Sequence, residues 1–419
     1  MYNRPSTKMR RFFDAKYSII NARMTEQKQT IIRLPKGFLI GAASSSHQVE
    51  GNNIHNDWWH QEQLGRVPKS GLATDHWNRF EEDFDIAKQI GLNAMRISIE
   101  WSRIEPTEGK FDVAAIAHYK RVLESLRKHG LTRMVTLFHF TLPQWVAEKD
   151  GFANSSNIQY FVRYAKLIAE ELGEEIELWN TINEPEVFTY MSSLAGKWPP
   201  FAKNPLRGFK QFRNLAKAHK LAYHAIKKVL PNAQISIAKN NVYNEAYRKN
   251  NALDKMAVWF QDWSGNYWFL NMIKNEMDFI GLNYYFYHSL GVGLNGIKQK
   301  NLTGPKSDMG WRTYPKGIYH LIMELHKRYG KPVYITENGI ANARDDMRQD
   351  FIRQHLEWCN KAITDGADVK GYFYWSLTDN YEWSDGYDPK FGLVEINYET
   401  QKRTIRPSAE IFKQIKSSS

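Results

Sequence analysis

Cysteine is nearly absent. Cys359 is the only one in 419 residues, which excludes an intramolecular disulfide and a cysteine-rich metal site. It falls in a helical pattern and reads as a packed thiol. Long apolar runs are missing too. No stretch of about 18 residues is apolar enough for a transmembrane helix, and the N-terminus lacks the apolar core of a signal peptide. A cytoplasmic protein is the expectation. Signatures of other chemistries are also missing. The segment GAASSSHQVEG from Gly41 has neither GxGxxG nor GK[ST] spacing, so a nucleotide phosphate turn is not indicated. No HExxH pair is present, and a metal-dependent hydrolase would have to recruit the scattered His47 and His139. No cofactor is expected. Acidic residues are in deficit: 57 Lys and Arg face 45 Asp and Glu, for a net charge of +12. No nucleic-acid motif accompanies the excess, so nucleic acid is not an expected partner.

The excess is lopsided. Residues 1–30 carry seven Lys or Arg against Asp14 and Glu26. Within them Phe13, Tyr17, Ile20 and Met24 form an apolar stripe at helical spacing. This segment reads as a basic, non-catalytic extension, partly helical or disordered, and residues 31–419 read as one catalytic domain. From Phe38 onward, strand and helix patterns alternate. Strand candidates are FLIGAA from Phe38, AMRISI from Ala94, RMVTLF from Arg133, IELWNTI from Ile176, QISIAK from Gln234, DFIGLN from Asp278, PVYIT from Pro332 and GYFYWS from Gly371. Helical periodicity covers Trp77–Ile90, Ala114–His129, Ile158–Leu172, Phe209–Val229, Ala252–Phe260, Gly317–Arg328 and Met347–Ile363, and a last helix is expected after Pro407. Several strands are near-continuous apolar runs, as when both faces are buried. Eight strand–helix units over about 380 residues predict an α/β fold, a single (β/α)8 TIM barrel with elaborated βα loops. An open doubly wound sheet would need fewer units and a glycine-rich turn.

Chemistry in such a barrel sits at the C-terminal tips of the strands. The fourth strand ends abruptly in Asn183, Glu184 and Pro185, because proline cannot donate to a ladder. The seventh ends in Glu337, and Asn338 and Gly339 turn the chain. The two glutamates lie 153 residues apart in sequence. The other tips are also polar. They carry His47, Gln48 and Glu50, then His139, Asn283 with Tyr285, and Trp375 followed by Glu382 and Trp383, while Arg96 lies within the second strand. A lone His or Arg in a strand is commonly structural, and Asn-Glu-Pro alone is a turn signal. Gathered on one rim they suit cleavage of a glycosidic bond, which needs a proton donor and an opposing carboxylate. Arg96 beside one glutamate would keep it ionised, and repulsion would raise the other. Spacing alone does not say which is which.

From Leu34 to about Lys413 the chain resembles glycoside hydrolase family 1, the β-glucosidase and β-galactosidase family. FLIGAASSSHQVEG, MRISIEWSRIEP, FHFTLPQW, TINEP, GLNYY, ITENG and WSLTDNYEWSDGY carry the resemblance, in family order. It implies that Glu184 is the general acid/base and Glu337 the nucleophile of a retaining β-glycosidase acting through a covalent glycosyl-enzyme. Arg96 and Tyr285 would contact and tune Glu337, with Asn283 in support. Asn183 would bond the sugar 2-hydroxyl. Gln48, His139, Glu382 and Trp383 would hold the other hydroxyls, over a floor formed by Trp375. Trp145 would belong to the leaving-group side. The implied partners are small β-glycosides or short oligosaccharides, with β-glucosides first and β-galactosides and β-fucosides second; the resemblance leaves room for a homo-oligomer.

Departures refine this. Relatives cleaving 6-phosphosugars carry a small polar residue at the position of Glu382 and a Lys-x-Tyr pair downstream. Here Glu382 is acidic and the run is Lys390-Phe391-Gly392, which favours a non-phosphorylated sugar. The thioglucosidase branch lacks the acid/base that Glu184 provides. The stretch from Glu184 to Glu337 is short for the family, so the loops after strands 4 to 6 are expected to be trimmed. Two rival readings use the same residues: a catalytically weak sugar-binding barrel and a mainly transglycosylating enzyme.

Overall fold

A computed structural model describes residues 32–293, 296–299 and 303–417. The basic extension expected over residues 1–30 lies outside the described residues. Eight parallel strands close into a barrel. They are β1 Leu39–Ala43, β2 Ala94–Ser98, β3 Thr132–Phe138, β4 Leu178–Asn183, β5 Gln234–Asn240, β6 Ile280–Asn283, β7 Val333–Asn338 and β8 Val369–Trp375. Each pairs with its sequence neighbours, and β8 closes onto β1, with Gly371 opposite Leu39. The eight apolar runs named from the sequence are these eight strands.

The main helices are α1 His76–Gln89, α2 Val113–Lys128, α3 Ile158–Leu172, α4 Pro205–Val229, α5 Ala252–Gln261, α6 Trp268–Ile273, α7 Lys316–Tyr329 and α8 Arg348–Thr364. A π turn, Asp262–Tyr267, joins α5 to α6. The segment after Pro407 is a 3-10 helix, Pro407–Gln414. Start signals are visible locally. Asp112 accepts from the backbone N–H groups of Ala114 and Ala115, capping α2. Asn204 does the same for α4. Both satisfy N–H groups that the helix itself cannot. Cys359 is buried on α8, and burial pushes its thiol pKa up.

The core has two parts. A large one lies between strands and helices. A smaller one fills the barrel, with Ala43, Ala94, Met134, Leu178, Phe279 and Phe373 among its members. Gly41 shows how tightly β1 meets its neighbours: a Cβ there would sit 2.6 Å from Phe373 and 2.7 Å from the Ala94 carbonyl. Two irregularities bear on the site. Between Ile335 and Glu337, β7 gains a residue relative to β6, where Leu282 is followed directly by Asn283. Ile335 packs toward the helices. Strict alternation would send Glu337 there too, but the bulge re-aims it into the barrel mouth. A second register shift lies between Asn180 and Asn183 on β4.

Candidate active site

At the end of β4, Asn183 is the last strand residue and Glu184 adopts φ 40°, ψ 62°. This left-handed backbone costs a non-glycine residue about 1–2 kcal/mol. It is held by the Glu184 N–H, which donates to the Ala238 carbonyl at 2.7 Å. Pro185 then opens a short helix, Pro185–Thr189. Proline is favoured there because its missing N–H would be unpaired anyway.

Around these residues runs a closed polar network. Arg96 is fully buried and donates to three strands. Its guanidinium pairs with Glu337 Oε1 and reaches Asn183 Oδ1 at 2.8 Å, with Nε on Thr136 Oγ1 at 3.1 Å. The Tyr285 hydroxyl donates to Glu337 Oε2 at 2.6 Å. Asn283 takes a bond from Thr336 at 2.6 Å. Its amide donates to Glu184 Oε1 at 2.8 Å and to Asn183 Oδ1 at 3.3 Å. Asn240, at the end of β5, also donates to Glu184 Oε1, at 3.1 Å.

The two glutamates therefore live in different fields. Glu337 faces a guanidinium and a phenol. Glu184 faces amides, with acids behind it. Burial, the negative Glu337 and the negative Glu186 push its pKa up to about 8 against the donations of Asn283 and Asn240. Glu186 is itself paired with the buried Lys239 at 2.8 Å.

The network also fixes proton positions. Asn183 Oδ1 accepts from Arg96 and Asn283, so its Nδ2 must face His139 Nε2, at 3.2 Å. An amide nitrogen only donates, so His139 Nε2 accepts and its proton sits on Nδ1. Burial and then Arg96 hold the His139 pKa well below its usual range, consistent with a neutral ring. His139 Nδ1 has no protein partner among the described residues. Gln48 is likewise fixed: Ser45 donates to its Oε1 at 2.8 Å, while its amide donates to Asn380 Oδ1 at 3.0 Å and to the Tyr381 carbonyl at 2.8 Å. The Trp375 indole donates to Glu382 Oε1 at 3.2 Å. Burial, with Glu337 and Asp385, pushes the Glu382 pKa up to about 8 despite that bond. The His139 ring stacks with Trp375 at 5.7 Å and with Trp383 at 6.2 Å.

The sequence model of glycosyl hydrolase family 1 matches residues 30–275 and 269–419. The chain belongs to this family. It is 34% identical over 431 residues to a 1,4-beta-D-glucan glucohydrolase of Thermotoga neapolitana, covering 90% of this chain and 96% of that one. It is 32% identical to a beta-galactosidase of Pyrococcus woesei, over 91% of this chain and 96% of that one. The solved beta-glycosidase from Pyrococcus horikoshii superposes with a TM-score of 0.86 at 40% identity, over 91% of this chain and 94% of that one. The family 1 chain described here is a glycoside hydrolase of the β-glycosidase type.

Of the predicted residues, Glu184, Glu337, Asn183, Asn283, Tyr285, Gln48, His139, Trp375, Glu382 and Trp383 lie at strand ends or in the βα loops, Arg96 lies within β2, and Glu184, Glu337, Arg96, Asn183, Asn283, Tyr285 and His139 belong to one network. Two other tip residues, Glu50 and His47, and Trp145 hydrogen-bond outside that network. Glu50 accepts from Arg103 at 2.8 Å and Tyr119 at 2.7 Å. His47 bonds Asn56 at 3.0 Å and lies 3.2 Å from Glu62. Trp145 donates to the Glu105 carbonyl at 2.9 Å and packs on Trp101 and Tyr160. His47 and His139 hydrogen-bond to different residues, although both rings stack with Trp383, at 5.8 and 6.2 Å, and the described residues contain no group of three or more His, Cys, Asp or Glu set to hold a metal ion. Asn240, Glu186, Lys239 and Thr136 were not singled out from the sequence. Asn240 had a signal: β4, β5 and β6 each end in asparagine.

Proposed function

We propose that this protein is a retaining β-glycosidase that removes terminal non-reducing β-D-glucosyl residues, with β-galactosides and β-fucosides as secondary substrates. The observation that carries the reading is the unequal setting of the two glutamates. Glu337, ion-paired and hydrogen-bonded, serves as the nucleophile. Glu184, with its pKa near 8, carries a proton at neutral pH and serves as the acid. Division of roles by environment is how two carboxyl groups run this chemistry.

In the first step Glu337 attacks the anomeric carbon, the bond to the leaving oxygen breaks, and the Glu184 proton moves to that oxygen. The product is a glycosyl ester of Glu337. In the second, Glu184 takes a proton from water, the water oxygen attacks the anomeric carbon, and Glu337 leaves as carboxylate. Two inversions retain the β configuration. Asn183 can only donate to the 2-hydroxyl, because its oxygen is occupied. His139 offers Nδ1–H, Gln48 offers the remaining lone pair of Oε1, and Glu382, with its pKa raised to about 8, donates as well as accepts at neutral pH. Trp375 and Trp383 supply flat faces. Glu382 supplies no cation for a phosphate, and the Lys390 ammonium rests 4.8 Å over the Tyr398 ring.

The test is hydrolysis of p-nitrophenyl β-glucoside, β-galactoside, β-fucoside and α-glucoside, with the released sugar followed by NMR. Turnover of the β-glycosides with the β-anomer appearing first is the expected result. First release of the α-anomer would overturn the retaining mechanism, and preferred turnover of the α-glucoside would overturn the substrate class.

A further inference from the structure

Helix α5 is packed with its apolar stripe outward. Met256, Trp259 and Phe260 on α5 and Trp263 on the π turn that follows recur at i, i+3, i+4 and i+7, the spacing of one helix face. They are 59%, 64%, 50% and 42% exposed. The inward positions are Asp254, bonded to Arg248, and Ala257. A helix lying on a barrel normally buries its apolar stripe, so this face is built for something other than the barrel.

The stripe continues onto the start of α4. Trp263 stacks on Trp268 at 5.6 Å, and Trp268 packs against Phe212 at 5.1 Å and Phe209 at 6.3 Å. Phe209 and Leu206, on the first turns of α4, are 47% and 73% exposed. Beside them the charge has one sign. Over its 25 residues α4 carries seven Lys or Arg and no Asp or Glu. Lys210, Arg213 and Lys217 are solvent-facing and have no acidic partner among the described residues. The Arg213 guanidinium lies 5.6 Å from the Phe209 ring. The nearest acid of the stripe, Asp262, is held by the Asn244 and Asn266 amides at 2.7 and 2.8 Å.

We propose that the exposed face of α5, together with the start of α4, is a docking surface for an anionic lipid membrane. Tryptophan and phenylalanine beside unpaired Lys and Arg is the composition that settles at the bilayer interface: the rings enter the headgroup layer and the cations meet lipid phosphates. A second copy of this chain would bring a face of the same charge sign, which disfavours self-association through it. Among the described residues no helix is long and apolar enough to cross a membrane, so the attachment is peripheral.

The test is co-sedimentation of the full chain with phosphatidylcholine vesicles, with and without phosphatidylglycerol. Wild type is expected to sediment with the anionic vesicles and to be released by high salt, since screened charges no longer attract. The W259S/W263S variant should lose at least about tenfold in binding, as apolar burial scales with the inserted rings. The K210E/R213E variant changes only solvent-facing charges and should lose a similar factor at low salt. Each should hydrolyse a soluble aryl β-glucoside like wild type. Wild type remaining in solution with both vesicle types would overturn the proposal. So would variants that bind as wild type does, or a wild-type oligomer that the W259S/W263S change converts to monomers without any vesicle binding.

Discussion

The β7 side of the site and the β4–β5 side each hold one buried glutamate and surround it with different partners. On the β7 side, Glu337 is met by a buried guanidinium and a phenol, both donating. On the β4–β5 side, Glu184 is met by two neutral amides, and its nearest charged neighbours are acids. A cation does lie close by, but Lys239 is spent on Glu186 and on backbone carbonyls. The lesson is that a carboxyl group's chemistry comes from what donates to it and what repels it. Burial alone acts on both glutamates and cannot separate them.

This contrast can be broken at either end. The largest effect is expected for Glu337→Gln, which replaces the proposed nucleophilic carboxylate with a neutral amide: kcat/KM should fall by about 10⁴-fold or more on every substrate. Near wild-type hydrolysis by that variant would end the nucleophile assignment. Glu184→Ala should lose about 10²–10⁴-fold on alkyl glycosides, whose leaving group needs the proton. On activated aryl glycosides the first step should be far less affected; an equal loss on both classes would count against the acid role. Removing the Arg96 guanidinium by Arg96→Met strands a buried carboxylate and the Asn183 oxygen. About 3–5 kcal/mol of stability should be lost, read by denaturant unfolding, together with turnover.

The smallest and sharpest tests read the pH profile. Glu184 must be protonated to act as acid, and its pKa is raised to about 8. Activity on poor leaving groups should therefore decline as pH rises through about 8. The linkage has the same sign: the stability from this proton is full below the ordinary value of 4.5 and is lost as pH rises toward 8. Asn240→Ala removes a donor that favours the carboxylate, so the alkaline limb should move up. Glu186→Gln removes a repelling charge, so the limb should move down. Each shift should change rates near pH 8 by less than about tenfold. Limbs that move the same way in both variants would show that Glu184 is not the group titrating.

Much of the fold was legible because a barrel strand leaves a local mark. Runs such as RMVTLF are apolar throughout, since both faces are buried, and β3 is where that run predicted it. The two glutamates were legible because proline after Glu184 ends β4, and the Asn-Gly pair after Glu337 marks the close of β7, which runs one residue further than expected, to Asn338. Helix boundaries moved by a few residues: α4 begins at Pro205, four residues before the periodicity does, because Asn204 caps it. Asn240 and the Glu186–Lys239 pair were harder to see. Their meaning depends on which neighbouring strand they face, and no spacing along the chain encodes that.

By itself the sequence determined the eight-fold alternation, the strand tips and the residue types placed on them. Those are local matters of periodicity, turn chemistry and proline. Only the tertiary structure decided that Glu337 points into the mouth, because a bulge against β6 overrides the alternation of β7. Closure alone brings Arg96 of β2 onto Glu337 of β7 and Asn283 of β6 onto Glu184 after β4. The difference between two chemically identical side chains is a product of that closure, since electrostatic fields follow distance in space and the chain order does not.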